Sequence, residues 1–254
     1  MANPFLRRAT EFIRDDATFL EIVSPAPLTA FLTHHPRKAD LFELPIRILG
    51  APGSGKTMLA MLAEFRLVEA ILRDLTSETN KDLAQALAGA GFLENGKPCV
   101  AAVRVPMESE YRDFWELPYD DAIKTKLALW LIQARTMLAL LRGLTNGGHR
   151  KLEDIRFIAR DASEAQLEQI GGLTAAGIRD RALQVQRAIY SIGASLLPPK
   201  IEDLPRDATD PYQPFECIQE IEIDWMGERL LVKPIAMLDD VHSLHPDQFE
   251  QMFS

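Results

Sequence analysis

Cysteine is nearly absent: Cys99 and Cys217 are the only two in 254 residues. Two are too few for a disulfide framework, and their spacing is not that of metal ligands. A reducing compartment is the simplest setting for them. Positive charge is also scarce, with 28 Lys and Arg against 37 Asp and Glu and a net charge of −9. That balance excludes a chain that coats nucleic acid through bulk charge, because neutralising phosphates takes clustered Lys and Arg. Long hydrophobic runs are missing too. The longest, 127–141, contains Gln133 and Arg135 and is too short to cross a bilayer. Residues 1–8 (MANPFLRR) lack the apolar core of a secretion signal. The expectation is a cytoplasmic protein with no membrane partner. There is no internal repeat and no low-complexity tract. What is present is ordinary globular composition, 47% hydrophobic and 26% charged, in a length that suits one large domain or two small ones.

Residues 1–45 read as a lead-in, apolar at Phe12, Phe19, Leu20, Ile22 and Val23 and then broken by Pro25, Pro27 and Pro36. The run 45–49 (PIRIL) predicts a short strand that ends at Gly50. The apolar spacing over 57–75 predicts a buried helix, and 82–90 a shorter one. Asn95-Gly96 marks a turn, and 100–105 (VAAVRV) a second strand. A long helix is expected over 121–144, closed by Asn146, Gly147 and Gly148. Residues 152–195 read as helical with an interruption at Gly171 and Gly172. The prolines at 198, 199, 205, 211 and 214 make 196–215 a loop. Runs at 216–224 and 229–232 predict a hairpin about 226–228, and 235–238 a buried strand.

The strongest chemical signal is Gly50-Ala51-Pro52-Gly53-Ser54-Gly55-Lys56-Thr57. It meets G-x-x-x-x-G-K-[ST] at every required position, between a predicted strand and a predicted helix. Glycines let the backbone turn tightly and direct successive N–H groups at phosphate oxygens. The helix N-terminus, which includes Met58, adds N–H donors and a favourable dipole. Lys56 supplies a point charge for the β- and γ-phosphates, and the Thr57 hydroxyl is a Mg²⁺ ligand. A second signal is Ile235-Ala236-Met237-Leu238-Asp239-Asp240, an apolar strand ending in paired acids. Asp239 offers oxygen to Mg²⁺, directly or through water, and Asp240 can orient or deprotonate an attacking water. Many strands end in Asp at a turn, so this pattern gains its force from the phosphate loop.

These motifs carry a family resemblance. The chain resembles P-loop NTPases of the additional-strand group, and within them AAA+ ATPases of the Orc/Cdc6 kind and the neighbouring STAND regulatory ATPases. GAPGSGKT, PIAMLDDVHSLHPDQF and the NPF-containing start bear it, over a small part of the chain. The resemblance implies a three-layer α/β sandwich with a parallel central sheet and nucleotide at its carboxyl edge. It implies ATP and Mg²⁺ as ligands, catalysis through Lys56 and Asp240, and a homo-oligomer or partner protein that contributes an arginine. Three departures stand out. The acidic strand ends in Asp-Asp where many relatives have Asp-Glu. The interval from Lys56 to Asp239 is 183 residues (239 − 56), which predicts a large, mainly helical insertion over 120–214 between a first half of the core (46–119) and a hairpin with the acidic strand (215–254). Only 14 residues follow Asp240 (254 − 240), so the sequence is expected to be the N-terminal portion of a longer ATPase; the alternative is a divergent fold with the two motif strands adjacent.

Three functions follow as expectations. The first is an ATP-hydrolysing module, slow or dependent on a neighbouring subunit, that couples nucleotide state to assembly or an effector; bacterial relatives suggest anti-phage defence. The second is a nucleotide-gated scaffold with negligible turnover. The third is a DNA-associated ATPase, which the net charge does not support. The guanine-reading Asn-Lys-x-Asp motif is absent, so ATP is preferred to GTP by default. Among weaker features, His34, His35, His242 and His245 fit surface or core positions better than a metal site. Glu108 and Glu110 read as a solvated loop, and Tyr111, Phe114, Trp115 and Tyr119 as a packing patch. Arg142, Arg150, Arg156 and Arg160 read as solvated helix residues.

Overall fold

The computed structural model describes residues 16–50, 53–107, 111, 114–195 and 197–241. The chain divides into two compact units, Met1–Ala102 and Val103–Ser254. It is a mixed α/β protein.

The first unit is built from helices. The longer ones are α1 (Asp16–Ile22), α2 (Lys56–Ala63), α3 (Phe65–Arg73) and α4 (Glu78–Ala90). The helix expected over 57–75 is two helices, because Glu64 leaves helical geometry at ψ 131°. Its chain direction changes there, and both halves still bury their apolar residues: Leu62, Leu67 and Ile71 are fully buried. Burial of such a side chain contributes about 1.5–3 kcal/mol each. Leu83 and Leu87 on α4, four apart, and Phe19 and Leu28 from the lead-in belong to the same core. The predicted turn at Asn95-Gly96 closes the hairpin of β1 (Leu93–Glu94) and β2 (Lys97–Pro98), with both turn residues at positive φ. Residues 45–49, expected as a strand, carry none. Ile46, Ile48 and Leu49 are exposed. A strand exists only with a ladder partner, and none of the described strands pairs with this run.

The second unit holds a four-stranded sheet in the order β3-β6-β5-β4, from β3 (Val100–Pro106), β4 (Arg156–Ala159), β5 (Ile218–Trp225) and β6 (Glu228–Asp239). β4 runs antiparallel to β5, and β5 antiparallel to β6. The expected hairpin is present, turned by Met226 and Gly227 at φ 53° and 88°. At the other edge, Met107 N–H donates to the Asp239 carbonyl at 2.8 Å, so the carboxyl ends of β3 and β6 lie side by side. The sheet is therefore mixed and mostly antiparallel, where a parallel one was expected. Much of the antiparallel part comes from β4, which lies in a region read as helical. Its four residues find their partner in β5, about sixty residues away, a pairing that no local pattern announces.

The longer helices of this unit are α5 (Asp121–Thr145), α6 (Glu164–Ile170) and α7 (Ala175–Gly193), and short ones at Arg206–Thr209 and Pro214–Cys217 punctuate the proline-rich stretch expected as a loop. Asp120 caps α5 by accepting from the Ile123 N–H. Leu127, Leu131, Ala134, Met137, Leu141 and Leu144 form its buried stripe, and Ile178, Ala182, Val185, Ile189 and Ile192 that of α7. The span 121–148 is long and apolar enough to cross a membrane by length and composition, longer than the run legible in the sequence. Most of its apolar window is buried inside the unit, as in the core helix of a soluble protein.

Candidate functional site

In the first unit Gly53, Ser54 and Gly55 turn into α2. Gly53 and Gly55 adopt φ 81° and 87°, left-handed values that L side chains rarely reach. Gly55 precedes the helix, and its carbonyl accepts the first helical bond from Leu59 N–H at 2.8 Å. The Lys56 ammonium folds back across the loop. It donates to the Gly50 carbonyl at 2.7 Å and to Ser54 Oγ at 3.3 Å. A Cβ on Gly50 would stand 2.6 Å from Ser54 Oγ, so a side chain there would turn the Ser54 hydroxyl away. Thr57 and Met58 follow in the first turn of α2, half-buried. Ala51 and Pro52 lie outside the described residues. The positive end of α2, the Lys56 ammonium and the Ser54 hydroxyl thus gather at one loop, a combination suited to a phosphate group. The helix that the motif requires is present; the strand that should precede it is not.

In the second unit β6 delivers Asp239 to the sheet's carboxyl edge beside β3. Its carboxylate is engaged on both oxygens. Oδ2 lies 3.2 Å from Arg104 Nη1 on β3, and Oδ1 accepts from Asp240 N–H at 3.0 Å. Both partners are largely buried, Arg104 at 23% and Asp239 at 10% side-chain exposure, so solvent screens the pair only in part. Asp240 turns immediately into left-handed geometry at φ 57°, which Asp tolerates better than most residues. The strand 235–238 is only half-buried, with Ala236 exposed, where a buried strand was expected. β6 runs unbroken from 228 to 239, so the two apolar runs read separately are one strand.

The structure brings Gly50, Ser54 and Lys56 together in one unit, and Asp239 and Asp240 with Arg104 in the other. Sequence reasoning missed Arg104. Its signal was present: it is the one charged residue in an otherwise apolar strand.

Mg²⁺ takes oxygen ligands, and the Thr57 hydroxyl and Asp239 carboxylate are of that chemistry. Among the described residues, no group of three or more His, Cys, Asp or Glu gathers as a metal site. His242, His245, Glu108 and Glu110 lie outside the described residues. Tyr111, Phe114 and Tyr119 are buried, with Arg135 over the Tyr111 ring at 5.1 Å and Lys124 over Trp115 at 5.5 Å, so this is a packing patch. Three of the four arginines differ from expectation. Arg142 is an exposed helix residue, but Arg156 lies on β4 and Arg160 follows it. Arg150 is buried: its guanidinium donates to the Asp224 carbonyl at 2.9 Å and to the Leu144 carbonyl at 2.6 Å. It ties the end of α5 to the end of β5 and is neither solvated nor helical. Burial pushes the Cys217 thiol up, with Glu216 adding to the effect, so this cysteine is not an activated nucleophile.

Comparison with protein-family models, with curated proteins and with solved structures gives no match to this chain.

Proposed function

We propose that this protein binds ATP with Mg²⁺ and hydrolyses it, as a P-loop module of AAA+ character that couples nucleotide state to assembly with further copies or with a partner. One observation carries the reading: Lys56 closes over a glycine loop at the head of α2, with Gly53 and Gly55 in left-handed geometry. Residues 50–58 would hold the phosphates through backbone N–H groups, and Lys56 would exchange its Gly50 carbonyl for phosphate oxygens. The Thr57 hydroxyl in the first unit and the Asp239 carboxylate in the second would each be an oxygen ligand for Mg²⁺, which neutralises charge on the phosphate oxygens when bound. Asp240 would orient the attacking water and accept its proton. A layered P-loop sandwich, with a mixed sheet in place of a parallel one, belongs to this proposal, supported by the side-by-side carboxyl ends of β3 and β6 and by the helix after the loop. A cytoplasmic setting and a role in anti-phage defence are proposals of the same resemblance.

A second reading, a nucleotide-gated scaffold with negligible turnover, has its own support. Asp239 is engaged by an arginine, and the carboxylate after it is the shorter Asp in place of Glu. The DNA-associated alternative gains nothing from a net charge of −9.

Turnover per chain, measured in Mg²⁺ and ATP as protein concentration rises with Lys56→Ala as the blank, separates the two. Turnover that rises with concentration is expected for an enzyme assembled between subunits. ATP binding with no turnover above the blank supports the scaffold.

A further inference from the structure

We propose that Ser54 is a latch on Lys56: its hydroxyl helps to hold the lysine ammonium across the phosphate loop, and a phosphate chain binds by drawing the ammonium off it. The inference rests on the reading of residues 50–58 as a phosphate loop and gives a role to a position that the motif leaves open.

Three groups converge on one point of the loop. The Lys56 ammonium donates to the Gly50 carbonyl at 2.7 Å and to Ser54 Oγ at 3.3 Å. The Ser54 hydroxyl also lies against Gly50, where a Cβ would meet Oγ at 2.6 Å and the Lys56 nitrogen at 3.7 Å. From position 56 the ammonium therefore bridges residues 50 and 54. Ser54 stands between Gly53 and Gly55, both in left-handed geometry, so the two glycines set the backbone from which its hydroxyl meets the lysine. An ammonium has three donors, and these partners take two of them. A phosphate chain on this loop needs the same donors, since a lysine holds phosphate through charge-assisted hydrogen bonds. Ligand and latch thus compete for Lys56. The Gly50 carbonyl is backbone and present whatever the residue type; the Ser54 hydroxyl is the part that the sequence adjusts. Ser54 is then a positioning residue. It keeps the ammonium at the loop and sets the affinity that a phosphate ligand must bring to release it.

Tripolyphosphate in EDTA is the probe, because it carries the phosphates without a base and needs no metal. Its Kd is measured by calorimetric titration of the protein, with Lys56→Ala as the blank. Ser54→Ala removes the hydroxyl and leaves the Cβ. Its Kd is expected to fall about fivefold, the scale of one modest hydrogen bond. A second readout needs no phosphate: the rate at which the N-hydroxysuccinimide ester of acetate acylates Lys56, followed by peptide mass. That rate should rise in Ser54→Ala, while the rates at the exposed Lys151 and Lys200 stay as in the wild type. A merely structural role would leave Lys56 unmoved or shift all three lysines together. A Kd that is unchanged or raised in Ser54→Ala, with the wild type binding normally, overturns the latch and leaves the phosphate loop standing; a raised value would make Ser54 a phosphate ligand instead. Equal acylation of Lys56 in the two proteins overturns it as well. No binding of tripolyphosphate by the wild type at millimolar concentration overturns the latch and the phosphate loop together.

Discussion

Tyr212 shows how much a single residue records about its surroundings. It is fully buried, and its hydroxyl has no hydrogen-bond partner among the described residues. Burial pushes its phenol well above the ordinary value, opposed in part by the positive charge of Arg181. A raised folded-state value means that folding favours the protonated phenol. The stability this contributes is complete below the unfolded value, about 10, and is lost as pH rises beyond it toward the folded value. Alkaline unfolding followed by phenolate absorbance is therefore expected to show that Tyr212 ionises only as the protein unfolds, a late fraction that Tyr212→Phe removes. Tyr212→Phe removes the unpaired hydroxyl, and denaturant unfolding should find it more stable by about 1 kcal/mol. A loss of stability in that variant contradicts the assignment of an unpaired group. At this scale the sequence was informative where chemistry dictates a fixed spacing. Lys56 lies on its loop as the motif requires. The partners of Arg104 and Arg150, Asp239 and the carbonyls of Leu144 and Asp224, were not legible, because they are assigned by the fold and not by neighbours in the chain.

Elements were legible in proportion to how local their causes are. Helix α5 has a capping Asp120 and a sustained apolar stripe, and both can be read from the sequence. The junction between α6 and α7 is a further case. Gly171, at φ 91°, ends α6, and the N–H of Gly172 returns to the Leu167 carbonyl at 2.8 Å, the bond pattern that closes a helix through a left-handed residue. The start of α7 then passes so close that a Cβ on Gly177 would lie 2.2 Å from the Gly171 carbonyl oxygen. Gly177→Ala is expected to cost about 1–3 kcal/mol through this overlap, despite the better helix propensity of Ala, and a lowered denaturation midpoint would register it. A midpoint equal to or above wild type would show that the two backbones separate freely. Non-local elements were the ones that sequence reading got wrong. The strand expected at 45–49 has alternating apolar residues but no ladder, whereas β4 has a ladder in β5 and only four residues to advertise it. The helix expected over 57–75 is broken at Glu64, a residue whose type gives no warning.

At the scale of the whole molecule, the two halves of the proposed chemistry lie in different compact units: the phosphate loop in residues 1–102 and the acidic strand end in 103–254. Fold class was legible only coarsely. Mixed α/β is correct, but the sheet is predominantly antiparallel, through the expected β5–β6 hairpin and through β4, which comes from a region whose composition reads as helical. ATP binding through Lys56 is the central claim, and a thermal titration tests it most directly. With Mg²⁺-ATP at about 100 times its Kd, binding contributes about 2.7 kcal/mol, which corresponds to a rise of about 5–10 °C in Tm for a protein of this size. Wild-type protein should show that rise, and Lys56→Ala, with an unchanged ligand-free Tm, should show none. An equal rise in both proteins, or none in the wild type at millimolar nucleotide, would contradict the phosphate-loop assignment.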